Sequence, residues 1–176
     1  MTTRWTTRVL WLALLASAGS ACAKGPDASL PKLKIDPART AVVGLSSGAY
    51  MATQAQMAYP ELFPNAAMVA GGPYGCAGGT LDVALGSCMK GVPAPDVAAL
   101  VASAGKRSAA GEIGALKDLA HARVYLLHGR DDALVAPAVA EAGAHFYEQL
   151  RDGTPGLGGM QVHDDGQRAF AHNLPV

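Results

Sequence analysis

The pentapeptide Gly-Leu-Ser-Ser-Gly at residues 44–48 constrains the fold of this chain more than any other stretch. It follows an apolar run at 40–43 and precedes helix-forming residues at 49–54, so the sequence predicts a strand, a sharp turn and a helix. The two glycines allow the backbone to turn tightly and the strand to pack close to the helix. A serine held in such a turn is a candidate nucleophile, here Ser46. The backbone N–H of the next residue, Ser47, is then a candidate oxyanion donor.

The N-terminus has the pattern of a signal peptide over residues 1–23. Two arginines precede an apolar segment at 9–18, which is too short to span a membrane. We therefore predict export to the periplasm or the medium, no transmembrane segment after cleavage, and one catalytic domain over residues 24–176.

The predicted cleavage site lies near Ala23, and Cys22 offers an alternative as the lipidated cysteine of a lipoprotein. We favour ordinary cleavage because Gly19 stands where a lipoprotein signal usually has leucine. Export places the remaining chain in an oxidising compartment. We therefore favour a disulfide between Cys76 and Cys88, twelve positions apart, over two buried free thiols.

Composition places the chain among globular proteins. Half of the residues are hydrophobic, 16% are charged and the formal net charge is zero. These values argue against a disordered chain and, with no run of Lys or Arg, against a nucleic-acid partner. Strand patterns alternate with helix patterns, so we predict an α/β fold with a mostly parallel sheet. The predicted strands are 33–35, 40–43, 66–70, 124–128 and 160–163, and the strand at 40–43 is expected to be buried. The predicted helices are 47–59, 97–104, 113–120 and 137–150, and a long disulfide-stapled loop is predicted at 71–95.

A serine nucleophile needs a base and a carboxylate that orients the base. The segment His-Gly-Arg-Asp-Asp at 128–132 follows a predicted strand, and in a parallel sheet its loop lies at the same edge as Ser46. Asp132 fits the spacing H-G-x-x-D-x-x-V, whereas Asp131 does not. The alternative is that Asp132 caps the helix starting near Pro137.

The candidate base is His172, which follows the last predicted strand and titrates near neutral pH. His163 is the competing histidine, within or just after that strand. The other three histidines, His121, His128 and His145, are assigned structural or surface positions. Because neither the histidines nor the two remaining cysteines have metal-ligand spacing, we expect no metal ion and no cofactor.

Three segments, 44–54, 69–76 and 124–135, together resemble the secreted poly(3-hydroxybutyrate) depolymerases and related polyester esterases, which are α/β-hydrolases. The resemblance implies an exported serine esterase that hydrolyses short-chain polyhydroxyalkanoate through an acyl-enzyme. The resemblance assigns the nucleophile to Ser46, the acid to Asp132 and the base to His172. It also assigns one oxyanion donor to Ser47 and supports the disulfide between the two remaining cysteines.

Members of this family resemble circularly permuted α/β-hydrolases, in which further strands and a second oxyanion donor follow the histidine. This implies that no H-G-G-G loop need precede the nucleophile, and none is found between Lys24 and Thr40. Because this chain stops at Val176, the resemblance implies a fold that is incomplete at its C-terminus. The substrate is then a polyester or a small ester. A carboxylesterase, feruloyl or acetyl esterase and an inactive truncated fragment are the alternatives.

Overall fold

The computed structural model describes residues 32–175, and from Ile35 onward they form one compact unit. The predicted signal peptide and Cys22 lie outside the described residues. Four parallel strands form a sheet in the order in which they occur in the sequence. The strands are β1 (Ala41–Leu45), β2 (Asn65–Val69), β3 (Arg123–Gly129) and β4 (Gln161–Arg168).

Within residues 32–175, five α-helices lie in the connections between these strands. They are α1 (Ser47–Ala58), α2 (Leu81–Leu85), α3 (Ser87–Lys90), α4 (Val97–Ala109) and α5 (Pro137–Gly153). Short 3₁₀ helices lie at Pro37–Arg39 and Leu116–Leu119, the second within a segment predicted to be α-helical. Helix α4 begins after Asp96, whose side chain accepts a hydrogen bond from the N–H of Ala99 at 3.0 Å, as expected of an N-cap.

The main core lies on one face of the sheet. Side chains of α1, α4 and α5 pack there against alternate residues of β2 and β3, including Met68, Val124 and Leu126. A smaller apolar cluster lies on the other face, around Val69 and Leu127. Within the described residues, the long helices thus cover one face of the sheet.

Three predictions about regular structure were wrong. Residues 33–35 form no strand, and Leu33 and Ile35 are exposed, so no burial offsets the cost of ordering them. The strand at 40–43 was predicted to be buried, but it corresponds to β1, which is at the edge of the described sheet, and Val43 is 67% exposed. The segment 71–95, predicted as a loop, contains α2 and α3.

Candidate active site

Ser46 forms the junction between β1 and α1, with φ 57° and ψ −120°. A non-glycine residue in this region costs about 1–3 kcal/mol and persists only when its surroundings hold it. Here the Ser46 N–H donates to the carbonyl of Val69 at 2.8 Å, and the Ser46 carbonyl accepts from the N–H of Ala49 at 2.9 Å. Neighbouring strand and helix therefore both fix the turn that was predicted from the sequence.

Two glycines, Gly44 in β1 and Gly71 after β2, permit these segments to lie close to helix α1. A Cβ placed on Gly44 would lie 2.0 Å from the carbonyl oxygen of Gly48, and a Cβ on Gly71 would lie 2.7 Å from the Cβ of Ala49. By contrast, a Cβ on Gly48 would meet no atom within 4 Å. The sequence pattern treats both glycines of the pentapeptide alike, but the structure requires only the first for packing.

Asp132 lies in the loop after β3, and its side chain is buried. One carboxylate oxygen accepts hydrogen bonds from the N–H groups of Leu134 at 2.8 Å and Val135 at 3.0 Å, and the other bonds to His172. Burial alone would raise the pKa of Asp132, but the His172 bond and the two N–H donors outweigh it and lower the pKa. The alternative role as a cap of α5 is not observed, because these donors precede that helix.

The neighbouring acid, Asp131, has a different environment. Its side chain is 58% exposed and lies 3.6 Å from Arg130 in a surface ion pair. The two adjacent aspartates are therefore separated by burial, and Asp132 is the one directed into the protein.

His172 is the histidine that meets this acid. Its Nδ1 lies 2.8 Å from Oδ2 of Asp132, and its side chain is 17% exposed. Backbone hydrogen bonds hold the segment before it against the loop after β3. The Arg130 N–H donates to Arg168, and the Asp131 N–H donates to Phe170. His163, the competing candidate, instead stacks on Tyr125 within the sheet, with ring centres 5.3 Å apart.

The candidate nucleophile and the candidate acid both follow strands at the carboxyl end of the sheet. Ser46 follows β1, Asp132 follows β3, and β2 lies between them, with its end bonded to both neighbours. The structure joins Asp132 and His172 by a hydrogen bond but does not join Ser46 Oγ to His172 in this way. Ser47 is the first residue of α1, so its N–H has no acceptor within the helix and is free for an oxyanion.

His128, predicted to hold a structural or surface position, is buried beside Asp132. It is 3% exposed, and its Nδ1 lies 3.9 Å from Oδ2 of Asp132. Neither ring nitrogen has a hydrogen-bond partner among the described residues. Burial lowers its pKa, an effect that Asp132 partly offsets. Its place as the last polar residue of an apolar strand was the one available signal.

A cavity of about 620 Å³ opens beside Ser46. The disulfide between Cys76 and Cys88 is present, and it ties together the 71–95 segment that forms much of the cavity wall. Tyr50 lines the cavity and donates a hydrogen bond to the Cys88 carbonyl, and burial raises its pKa to about 12. Another part of the wall comes from α4 through Leu100, Ser103 and Arg107, and this contribution was not predicted from the sequence.

Residues 32–175 contain no group of three His, Cys, Asp or Glu side chains placed to hold a metal ion. No helix in the same range has the length and apolar character required to cross a membrane.

No family model matches the sequence. Among curated proteins, it is 37% identical over 123 residues to a poly(3-hydroxybutyrate) depolymerase of Delftia acidovorans, covering 69% of this chain and 25% of that protein. It is 38% identical over 104 residues to poly(3-hydroxyalkanoate) depolymerase C of Paucimonas lemoignei, covering 59% and 23%. A polyhydroxybutyrate depolymerase of Talaromyces funiculosus is 33% identical over 135 residues, covering 75% and 36%.

Solved structures give the same relationship. The fold matches a PHB depolymerase complexed with an R3HB trimer, with a TM-score of 0.64 and 25% identity over 84% of this chain and 43% of that one. It also matches the PHB depolymerase from Penicillium funiculosum with a TM-score of 0.64 and 26% identity at the same coverage. The chain spans a quarter to a third of the curated relatives' length. It is therefore a homologue of part of the poly(3-hydroxybutyrate) depolymerases and shares their α/β-hydrolase fold.

Proposed function

We propose that this chain is an exported serine esterase that hydrolyses ester bonds of poly(3-hydroxybutyrate) or its short oligomers. The observation that carries the proposal is the part-buried hydrogen bond between Asp132 and His172, at the end of the sheet where Ser46 also lies in a strained turn. The names of the relatives support the substrate class. The signal-peptide pattern at residues 1–23 supports export.

In the proposed mechanism, the Oγ of Ser46 bonds to the ester carbonyl carbon while His172 takes the hydroxyl proton through Nε2. Asp132 holds the tautomer of His172 that leaves Nε2 free to accept, and it stabilises the imidazolium. The carbonyl oxygen becomes an oxyanion and accepts a hydrogen bond from the Ser47 N–H.

Collapse of this intermediate breaks the ester C–O bond, and the imidazolium returns the proton to the departing alkoxide. The alcohol half of the substrate leaves, and the acyl half stays on Ser46. Water then attacks the acyl-enzyme with His172 as base again, which releases the acid and restores the serine hydroxyl.

The decisive experiment is hydrolysis of a soluble 3-hydroxybutyrate trimer by the purified chain, with variants measured beside it. We expect Ser46→Ala to abolish turnover and Asp132→Asn to lower kcat by about 10³–10⁴-fold, since the wrong His172 tautomer is then favoured. Asp131→Asn is the matched control, because it changes the same group on an exposed neighbour and should leave kcat within about twofold.

Each outcome decides something. Trimer hydrolysis that survives Ser46→Ala would refute the nucleophile. Hydrolysis of p-nitrophenyl butyrate without hydrolysis of the trimer would make the chain a carboxylesterase. No turnover of either ester by a folded, monodisperse chain would refute enzymatic activity of these 176 residues.

A further inference from the structure

The cavity beside Ser46 contains one charged side chain among the residues that line it, Arg107 of α4. Leu100, Ser103 and Arg107 lie at positions i, i+3 and i+7, so they share one face of the helix and form a continuous wall. Most of the remaining lining is apolar or glycine, and no Asp or Glu lines it. The acidic partner of this cation, Glu112, lies outside the residues that line the cavity, so the cation can attract an anionic group of a ligand.

Contacts on its inner side fix the position of the Arg107 guanidinium. Nη1 donates to the hydroxyl of Tyr74 at 2.6 Å, and the guanidinium carbon lies 5.7 Å from the centre of the Tyr74 ring. Tyr74 is itself 2% exposed and packs against Phe146, with ring centres 6.0 Å apart. The cation therefore rests on a rigid aromatic base.

Arg107 has donors left for a ligand. Its Nε donates to Glu112 at 3.2 Å in a pair whose side chains are 43% and 59% exposed. Of the five N–H groups of a guanidinium, Glu112 and Tyr74 use two, so three are left. An exposed pair of this kind is weak and screened by solvent, so a carboxylate bound in the cavity can compete with Glu112.

We propose that Arg107 binds the terminal carboxylate of a 3-hydroxybutyrate oligomer and makes the chain selective for oligomer ends. This inference rests on the proposed function, since it places the reacting ester at Ser46. A 3-hydroxybutyrate chain has one free carboxylate, at one end, and the ester groups between its units are neutral. One cation beside an otherwise uncharged cavity matches that distribution of charge.

The chemistry of the polymer fixes the direction of binding. In every ester bond of such a chain, the acyl half leads to the hydroxyl end and the alkoxy half leads to the carboxylate end. An oligomer held by its carboxylate at Arg107 therefore presents its alkoxy half, the leaving group, on the Arg107 side of Ser46. The acyl-enzyme carries the hydroxyl-terminal part, and the first product is a fragment of fixed length from the carboxylate end.

Two matched substrates test this, the 3-hydroxybutyrate trimer as free acid and as methyl ester. The methyl ester lacks the terminal charge and adds a terminal ester, so cleavage of the ester bonds between the units, not release of methanol, is measured for both. We expect kcat/KM for the acid to exceed that for the methyl ester by about tenfold in the wild-type chain, and Arg107→Gln to remove the preference. Lys106→Gln is the matched control, because it removes the same charge from the adjacent exposed residue of α4, which does not line the cavity. It should keep the preference.

Hydrolysis of the methyl ester by Arg107→Gln reports whether the variant is folded and active. The role of Arg107 would be overturned if Arg107→Gln lowered kcat/KM for the acid and for the methyl ester by the same factor, or if the preference for the acid were unchanged. Arg107→Lys should keep part of the preference, since the charge stays and the planar fork is lost.

A binding measurement separates this inference from the proposed function. In a Ser46→Ala background, calorimetry should give a Kd for the trimer acid about tenfold lower than in Ser46→Ala/Arg107→Gln, and equal values for the methyl ester. If the wild-type chain hydrolyses neither substrate but this difference is found, the proposed hydrolysis fails and carboxylate binding by Arg107 holds. Equal binding of the acid by both variants refutes the inference, whatever the activity.

Discussion

Replacing each glycine of the pentapeptide by alanine should change stability in opposite directions. A methyl group on Gly44 would lie 2.0 Å from the carbonyl oxygen of Gly48, 2.1 Å from its carbonyl carbon and 2.7 Å from the nitrogen of Ala49. All three are backbone atoms of α1, and the turn at Ser46 holds this helix against β1. No side-chain rotation can relieve the contact, so β1 and α1 must separate.

We expect Gly44→Ala to cost about 3 kcal/mol or more, at the upper end of what overpacking costs in a core. For a domain of this size that corresponds to a fall in Tm of roughly 10 °C. Gly48 lies in the first turn of α1, where a methyl group meets nothing within 4 Å. Gly48→Ala should therefore stabilise the protein by up to about 1 kcal/mol, because alanine loses less backbone entropy in a helix.

Urea unfolding followed by circular dichroism measures both variants under identical conditions, and the wild-type chain is the reference. Trimer hydrolysis should fall with Gly44→Ala, because separation of β1 from α1 moves Ser46. The steric argument would be refuted if Gly44→Ala unfolded at the wild-type urea concentration, or if the two variants were destabilised equally.

Two further predictions concern the disulfide and the pH dependence of stability. Replacing Cys76 and Cys88 together by serine should lower the free energy of unfolding in urea by about 3 kcal/mol, because the disulfide closes a short loop. An unchanged urea midpoint would contradict this prediction, as would a loss of stability that reductant does not reproduce in the wild type. Burial lowers the pKa of His128, so below its unfolded pKa of about 6.5 the unfolded chain binds more protons, and stability should fall as pH drops from about 7 to 5. His128→Asn should flatten that slope while the exposed control His145→Asn should not, and equal slopes would refute the assignment.

Most elements could be predicted because their local signals agree with their tertiary environment. The helix predicted at 47–59 and the strand predicted at 124–128 correspond to α1 and β3, and each has an apolar pattern bounded by a turn or a proline. The prediction failed for the burial of β1, since an apolar run such as 40–43 does not reveal whether its strand is central or at an edge. That property depends on which strands lie beside it.

The cavity wall shows a second limit of sequence reasoning. Arg107 lies on a helix whose pattern gives no sign of a ligand, and it reaches the cavity because α4 packs over Tyr74 and the disulfide-linked segment 71–95. The place of His128 within the prediction of a structural or surface position was also open, since only the folded chain shows that its ring is buried beside Asp132. The surroundings of both residues are formed by neighbours that are distant in sequence.

Gly129, at the end of β3, allows the segment that leads to His172 to lie against that strand. A Cβ on Gly129 would lie 2.0 Å from the carbonyl oxygen of Phe170, so only glycine lets that segment lie against the end of β3. The same carbonyl accepts the N–H of Asp131, which places His172, two residues further, within 2.8 Å of Asp132. The glycine therefore lets the proposed base lie beside the proposed acid. The spacing H-G-x-x-D identifies only the acid side of this contact, because the histidine lies 40 residues further along the chain.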